Sequence, residues 1–176
     1  MSLNPLGASE YETLRATIRE RGTMRIYVVL GGIAAWGTLA VAVLFTYAQG
    51  GAILVPLLVL VTTFELNFFV HTGVERIGRY LQVFHEEASG SMGWETTAMN
   101  YGAKFPGGLD PLFVAVFSIC AAVNLFNSLA AARQPGWIAL SMILHSLFAY
   151  RIVSARKAAA SQRALDLDRF RSLLSK

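Results

Sequence analysis

Glu65 is the residue whose type and position point most directly to chemistry, because it interrupts an apolar stretch. In a helix that begins after Gly51, a rise of ~1.5 Å per residue places Glu65 ~20 Å along the axis, inside a hydrocarbon layer of ~30 Å. An ionisable group at that depth is costly and by default marks a functional site that faces the protein interior or a water-filled cavity. Two interpretations stand open: a carboxyl that binds a proton or cation, and a carboxyl that holds helices together.

Polar residues in the other apolar stretches fall at comparable depths. By the same count of helical rise, five of them form with Glu65 a candidate intramembrane polar site: Thr38, Cys120 and Tyr150 at its level, and Asn124 and His145 about two turns closer to the outer face. Asn124 and Asn127 are three residues apart and share a helical face. Hydrogen bonds between membrane helices stabilise by only ~1 kcal/mol each, which favours a structural role for the two asparagines.

A second group of polar residues follows the second apolar stretch. This candidate cytoplasmic-interface site comprises His71, Glu75, Arg79, His85 and Trp94. His71 and Glu75 are four residues apart, and a metal site near the inner surface is conceivable. Carboxylate-bridged bundles use a Glu-x-x-His element on each of two helices, and the sequence has none. Solvated interface residues are therefore the favoured interpretation, although an enzyme acting on a lipid or quinone would need such side chains to converge on one pocket.

The sequence predicts no cofactor, no metal and no catalytic residue. His71 and His145 would lie ~15 Å apart along the membrane normal by helical rise, too far for one haem to bridge. Cys120 is the only cysteine, so neither a disulfide nor a cysteine metal site can form within one chain. No nucleotide-binding loop, nucleophile elbow or zinc-protease helix motif is present, and the protein is expected not to be an enzyme.

Four apolar stretches must position these side chains. The chain has 176 residues, 55% hydrophobic and 15% charged, which is too apolar for an ordinary soluble domain. Each stretch approaches the ~20 residues that a helix needs to cross a bilayer. The small residues of the first stretch, among them the series Ala34, Thr38 and Ala42, permit close helix packing, so we expect this stretch to be central.

Charge predicts the orientation. Four, three and seven of the fifteen Lys and Arg residues lie in the zones 1–25, 72–110 and 151–176, and only Arg133 lies elsewhere. The positive-inside rule then places both termini and the central loop in the cytoplasm. Because these basic residues follow the membrane boundaries, they indicate contact with lipid head groups and no nucleic-acid partner. The Arg-over-Lys, Ala-rich usage is typical of a GC-rich bacterial genome, and the expected location is a bacterial inner membrane.

The predicted fold is all-α: an integral membrane four-helix bundle with amphipathic cytoplasmic helices at both termini and a long second helix that projects into the cytoplasm. The whole chain, 1–176, is expected to be one membrane domain. The predicted segments, in order, are an amphipathic helix 8–24, a span 26–48, a span 52–71 with a cytoplasmic extension 72–88, an interfacial loop 89–110, spans 111–132 and 137–153, and a tail helix 154–174.

The leading functional hypothesis is a non-catalytic multi-pass protein that serves as a scaffold or accessory subunit. Its expected partners are the lipid bilayer and other membrane-protein chains, in a homo-oligomer or a larger complex. The alternative is a proton or cation channel or transporter component that uses Glu65, because buried acids and rings of charge select ions in such pathways.

Overall fold

The computed structural model describes residues 5–46, 50–90, 92–104 and 111–174. Within these ranges the secondary structure is helical and contains no strand, so the all-α prediction is confirmed. The α-helices of this part of the chain are α1 Pro5–Phe45, α2 Val55–Leu81, α3 Trp94–Lys104, α4 Pro111–Ala131 and α5 Pro135–Leu174. Four helical runs are long and apolar enough to cross a membrane: Gly7–Phe45, Gly50–Glu87, Phe113–Ala131 and Pro135–Leu174.

Two helices are longer than predicted. The separate helices 8–24 and 26–48 are replaced by the single helix α1, which runs through Gly22 without a break. One glycine inside a helix costs only ~1 kcal/mol, which the neighbouring helix-forming residues can absorb. In the same way, the predicted span 137–153 and tail 154–174 form the continuous helix α5, whose junction is rich in alanine and arginine.

The second predicted helix, 52–88, corresponds to a helical run with distinct ends. A 3₁₀ turn, Gly50–Leu54, leads into α2, and a π-helical turn, Gln82–Glu87, follows it. Pro56 lies in the first turn of α2, where the amide hydrogen that proline lacks would have no helical acceptor. Gly90 ends the run with a positive φ of 68°, and its N–H donates to the Glu87 carbonyl at 3.1 Å. Glycine adopts this conformation without a Cβ clash.

The predicted interfacial loop 89–110 differs most from the structure, because it contains helix α3, Trp94–Lys104. The glycines and large aromatic residues of this segment indicate a loop when read along the sequence. The helix begins where a carboxylate from the preceding π-helical turn meets its first amides, a contact that local sequence patterns do not reveal. Residues 91 and 105–110 of the predicted loop lie outside the described residues.

The described chain packs as two compact units. The apolar unit comprises the described residues of 26–68 and 109–156, and the polar unit comprises the described residues of 1–25, 69–108 and 157–176. In the apolar unit, the Phe64 ring makes edge contacts with Phe117 and Phe148, at centroid distances of 5.3 and 5.7 Å. Leu60 and Ile152 are buried in the same cluster, which joins α2, α4 and α5. The prediction of one membrane domain stays a prediction.

The expectation that the first apolar stretch is central is wrong. Only 6% of the most apolar window of α1 is buried, against 44% of the corresponding window of α2. Gly32 of α1 does approach α2, where a Cβ added to it would lie 2.8 Å from the Thr63 Cβ. The series Ala34, Thr38 and Ala42 is exposed, because these residues lie on another face of α1. Small residues indicate that helices can pack closely, but they do not indicate which face of the helix is packed.

Candidate functional site

Glu65 of α2 forms an ion pair with Arg151 of α5, and both residues belong to the apolar unit. The Arg151 Nε lies 2.8 Å from Glu65 Oε1, and its Nη2 donates to Oε2 at 2.9 Å. The guanidinium also lies over the ring of Phe68, with its central carbon 4.4 Å from the ring centroid. Two parallel charge-assisted hydrogen bonds and a cation–π contact hold the Arg151 side chain in one geometry. The carboxylate therefore has a counter-ion within the same unit.

This pair lies at the surface of the apolar unit, with side chains 42% exposed for Glu65 and 31% exposed for Arg151. Glu65 thus neither faces a closed interior nor lacks a cation. The sequence assigns Arg151 to the cytoplasmic basic zone, although the depth count places its neighbour Tyr150 at the level of Glu65. That adjacency is the signal by which Arg151 could have been found.

A buried polar cluster joins Trp36, Asn124, Ser141 and His145. The Trp36 Nε1 donates to the Asn124 Oδ1 at 3.0 Å, and the Asn124 Nδ2 lies 2.9 Å from the His145 Nε2. An amide nitrogen can only donate, so His145 Nε2 accepts and the ring proton resides on Nδ1. From there it donates to the Ser141 carbonyl oxygen at 2.7 Å. The chain of donors and acceptors is complete.

This chain of hydrogen bonds fixes the orientation of the His145 ring and links α1, α4 and α5. Asn124, Ser141 and His145 are buried, so each hydrogen bond removes a desolvation cost that an unpaired group would carry. The depth count places Asn124 and His145 at one level, and the structure brings them together. Trp36 and Ser141 are missing from the predicted site, because an indole and a serine in an apolar stretch look like ordinary packing residues.

The structure does not bring the remaining intramembrane candidates to either group. Thr38 is exposed and donates to the Ala34 carbonyl of its own helix at 2.9 Å. Cys120 is buried in the apolar core between α2, α4 and α5. Tyr150 is exposed. The six-residue intramembrane site thus divides into the Asn124–His145 cluster, the Glu65 ion pair and three residues that join neither.

In the polar unit, Arg79 and Glu95 form a buried ion pair. The Arg79 Nη2 lies 3.1 Å from Glu95 Oε2, and its Nη1 donates to the Gln82 Oε1 at 2.6 Å. Arg15 of α1 reaches the other oxygen of Glu95 at 2.8 Å. One carboxylate of α3 therefore binds guanidinium groups of α1 and α2, which ties three helices of the polar unit together.

His71 and Glu75 are also in contact, as their spacing indicates. Arg25 Nη1 lies 3.2 Å from His71 Nδ1, and a guanidinium can only donate, so the histidine proton is on Nε2. That nitrogen lies 3.6 Å from Glu75 Oε1, and this oxygen accepts a hydrogen bond from Arg163 Nη1 at 3.0 Å. Burial raises the pKa of Glu75 above its ordinary value, and Arg163 opposes the shift. The carboxylate is incompletely solvated.

Glu86 caps the start of helix α3, a role that no local sequence pattern indicates. Its buried carboxylate accepts from the Glu95 N–H at 2.9 Å, from the Thr96 N–H at 2.7 Å and from the Thr96 hydroxyl at 2.6 Å. These amides belong to the first turn of α3, where no intrahelical acceptor exists and the helix dipole favours an anion. A Cβ at Gly93 would collide with the Glu86 carboxylate, so glycine is required there.

The last two interface candidates, His85 and Trp94, take no part in these ion pairs. His85 contacts Tyr11, at 5.6 Å between ring centroids, and its Nε2 lies 3.8 Å from Glu10 Oε2. Trp94 is largely exposed at the start of α3. Among the described residues, no group of three or more His, Cys, Asp or Glu side chains is arranged to hold a metal ion. The predicted absence of cofactor and metal stays a prediction.

Comparisons with protein-family models, with curated proteins and with solved structures found no significant match to this chain.

Proposed function

We propose that the protein is a non-catalytic, multi-pass protein of the bacterial inner membrane that serves as a scaffold or accessory subunit of a membrane complex. Its spans pack as a four-helix bundle, and both termini and the polar unit lie in the cytoplasm. The observation that carries the proposal is the exposed small-residue face of α1, formed by Ala34, Thr38 and Ala42.

This face is suited to another helix. The three residues are four apart and therefore lie one above the other along α1. Thr38 satisfies its hydroxyl within α1, so the face presents no unpaired hydroxyl to a partner. Small side chains let two backbones approach closely, and close packing drives helix association in lipid. Against lipid acyl chains alone, these small residues would contribute little contact area. We therefore propose that a helix of a second copy of the chain, or of another membrane protein, packs on this face.

The polar groups of the apolar unit support a structural role. Trp36, Asn124 and His145 form hydrogen bonds with one another, and the charge of Glu65 is neutralised by Arg151. Each of these groups has its partner within the apolar unit, as expected of polar residues that hold membrane helices together. The polar unit is likewise tied together by ion pairs, including the buried pair of Arg79 and Glu95. Such a unit presents a stable surface to a cytoplasmic partner.

The oligomer interface is tested with bulky residues on α1. The variant Ala34→Ile/Ala42→Ile enlarges the face without adding charge, and the matched control Ala122→Ile places the same side chain at an exposed position of α4. Native mass spectrometry of the protein purified in mild detergent should show an oligomer or a bound partner chain for wild type and control, but not for the α1 variant. A wild-type protein that purifies alone and monomeric would overturn the proposal.

The orientation is tested with single introduced cysteines. Gln134→Cys lies in the turn between α4 and α5, and Ser161→Cys lies on the exposed surface of the polar unit. In intact cells, a membrane-impermeant maleimide should label the first position and spare the second, because only the first is proposed to lie outside. Labelling of the second position would place the polar unit outside and refute the topology.

One observation favours the alternative, a proton or cation pathway. Glu65 is a partly exposed carboxylate within an apolar segment, so several copies in an oligomer would place it in a ring. Proton or cation flux into proteoliposomes should then collapse in Glu65→Gln. Equal flux in wild type and variant would end this alternative and leave the scaffold proposal standing.

A further inference from the structure

The polar unit contains a cavity of about 280 Å³ beside α2 and α3. Its polar wall consists of three guanidinium groups and two carboxylates: Arg15, Arg79, Arg163, Glu75 and Glu95. These groups sum to one positive charge in excess. Ile18, Trp94 and Met99 contribute an apolar wall. The volume is close to the lower end of the ~300–1,000 Å³ typical of small-molecule sites.

Two polar atoms of this wall are buried without a hydrogen-bond partner among the described residues. They are Arg79 Nε, which can only donate, and Glu75 Oε2, which can only accept when ionised. Arg79 as a whole is 95% buried, since its exposed fraction is 5%. Buried unsatisfied atoms are rare and costly in native proteins, so a donor and an acceptor left over on one cavity wall call for an explanation.

Spacing restricts what can satisfy both atoms. Glu75 and Arg79 are four residues apart on α2, so their Cβ atoms are about 5–6 Å apart. The remaining atoms of both side chains are engaged: Glu75 Oε1 by Arg163, and Arg79 Nη1 and Nη2 by Gln82 and Glu95. A ligand that meets both must therefore present an acceptor and a donor only a few bonds apart.

We propose that this cavity binds a phosphate ester that also carries a primary amine, the chemistry of a phosphoethanolamine group. Its phosphate oxygens accept from Arg79 Nε and from Arg15 and Arg163, each of which binds a carboxylate of the wall through Nη1 and has further N–H donors for an anion. Its ammonium group donates to Glu75 Oε2. The excess positive charge of the wall matches the excess negative charge of a phosphate monoester over its amine.

Two sources share the phosphate and the primary amine: a soluble phosphoethanolamine compound, whose monoester matches the excess charge of the wall, and the head group of a phospholipid at the membrane surface, whose diester leaves it without net charge. The inference goes beyond the proposed scaffold role and does not depend on it. Either source would order the surroundings of Arg79 and Glu75.

The test uses the full-length protein in detergent and isothermal titration with O-phosphoethanolamine, phosphocholine and inorganic phosphate. Phosphocholine has the same phosphate but no N–H, so we expect it to bind at least about tenfold more weakly, and inorganic phosphate as well. Equal affinity for phosphoethanolamine and phosphocholine, or no binding of either, would overturn the proposal and indicate a cavity that holds only water.

Variants assign the binding to this cavity. Ala98→Leu fills the cavity without removing a charge, and Ala160→Leu places the same side chain on an exposed position of α5. Binding should be lost in the first variant and unchanged in the second. Glu75→Gln should reduce the preference for phosphoethanolamine over phosphate. If Ala98→Leu folds and binds like wild type, the proposed location is wrong.

Native mass spectrometry separates the two sources. The protein is reconstituted in vesicles of phosphatidylethanolamine and phosphatidylglycerol and then re-extracted. Phosphatidylethanolamine retained by wild type and by Ala160→Leu, but not by Ala98→Leu, identifies a lipid head group. Soluble binding without retained lipid identifies a soluble phosphate ester. Both results support the shared chemistry, whereas retention of phosphatidylglycerol in equal amount argues against recognition of the amine.

Discussion

Arg151 of α5 binds Glu65 of α2 through two parallel contacts, with Nε 2.8 Å from Oε1 and Nη2 2.9 Å from Oε2. Both residues lie in segments that the sequence assigns to the hydrocarbon layer or its edge. Each charge is tolerated there because the other is present, so the pair fixes the rotation of two helices against each other.

Removing one partner of this pair should destabilise the apolar unit by about 1 kcal/mol, because the pair is partly exposed and the charge left behind is only partly desolvated. We expect Glu65→Gln and Arg151→Gln each to unfold at lower denaturant concentration in detergent, and the double variant to be more stable than the sum of the single effects implies. A double-mutant cycle measures this coupling. Strictly additive effects would show that the two side chains do not stabilise each other.

The buried cluster predicts a difference between two asparagines of α4. Asn124→Leu leaves the Trp36 indole N–H and the His145 Nε2 without a partner, which should cost about 2 kcal/mol. Asn127→Leu, three residues further along α4, changes a less buried side chain and should cost less. Chemical unfolding of both variants compares them directly. Equal stability losses would mean that the cluster contributes nothing beyond ordinary packing.

Glu86 and Glu87 are neighbours whose substitutions should differ in their effect on stability. Glu86 caps α3 from a buried position, so Glu86→Ala should cost about 2 kcal/mol and increase hydrogen exchange in the first turn of α3. Glu87 binds Arg171 at an exposed position, where such a pair contributes about 0–1 kcal/mol. Glu87→Ala is therefore the control. Exchange in α3 that is unchanged by Glu86→Ala would contradict the capping role.

Gly31 and Gly32 form a second matched pair. A Cβ at Gly32 meets Thr63 of α2, so Gly32→Ala should force α1 and α2 apart and cost about 1–3 kcal/mol. A Cβ at Gly31 meets nothing within 4 Å, so Gly31→Ala should be neutral or stabilise by up to about 1 kcal/mol. Thermal unfolding in detergent measures both. If only Gly31→Ala lost stability, Gly31 rather than Gly32 would be the residue that faces α2, contrary to this assignment.

The sequence predicts well how deep a residue lies along its helix, but it predicts poorly which way the residue faces around the helix axis. Helical rise places Asn124 and His145 at one level, and the two side chains are in contact. The same count places Tyr150 near Glu65, yet the next residue, Arg151, makes the contact while Tyr150 is exposed. Rise per residue is nearly constant, whereas the rotation of one helix against another depends on the packing of every side chain between them.

Contacts between distant segments explain the rest of what the sequence could not predict. The Glu86 carboxylate that starts α3 and the Glu95 carboxylate that binds Arg15 and Arg79 act across separate elements. No local pattern encodes them. The all-α character and the four apolar helices follow from periodicity and length alone, which is why they were predictable.

Cys120, enclosed between the aromatic and aliphatic side chains of α2, α4 and α5, is the sole thiol of the chain. Because Cys120 is buried, water-soluble thiol reagents should react with it slowly. The native chain should therefore give little background labelling when fluorophores, spin labels or crosslinkers are attached to cysteines introduced elsewhere. Reporter positions can be introduced one at a time without first redesigning the interior, and distance measurements between copies then become a matter of choosing surface sites.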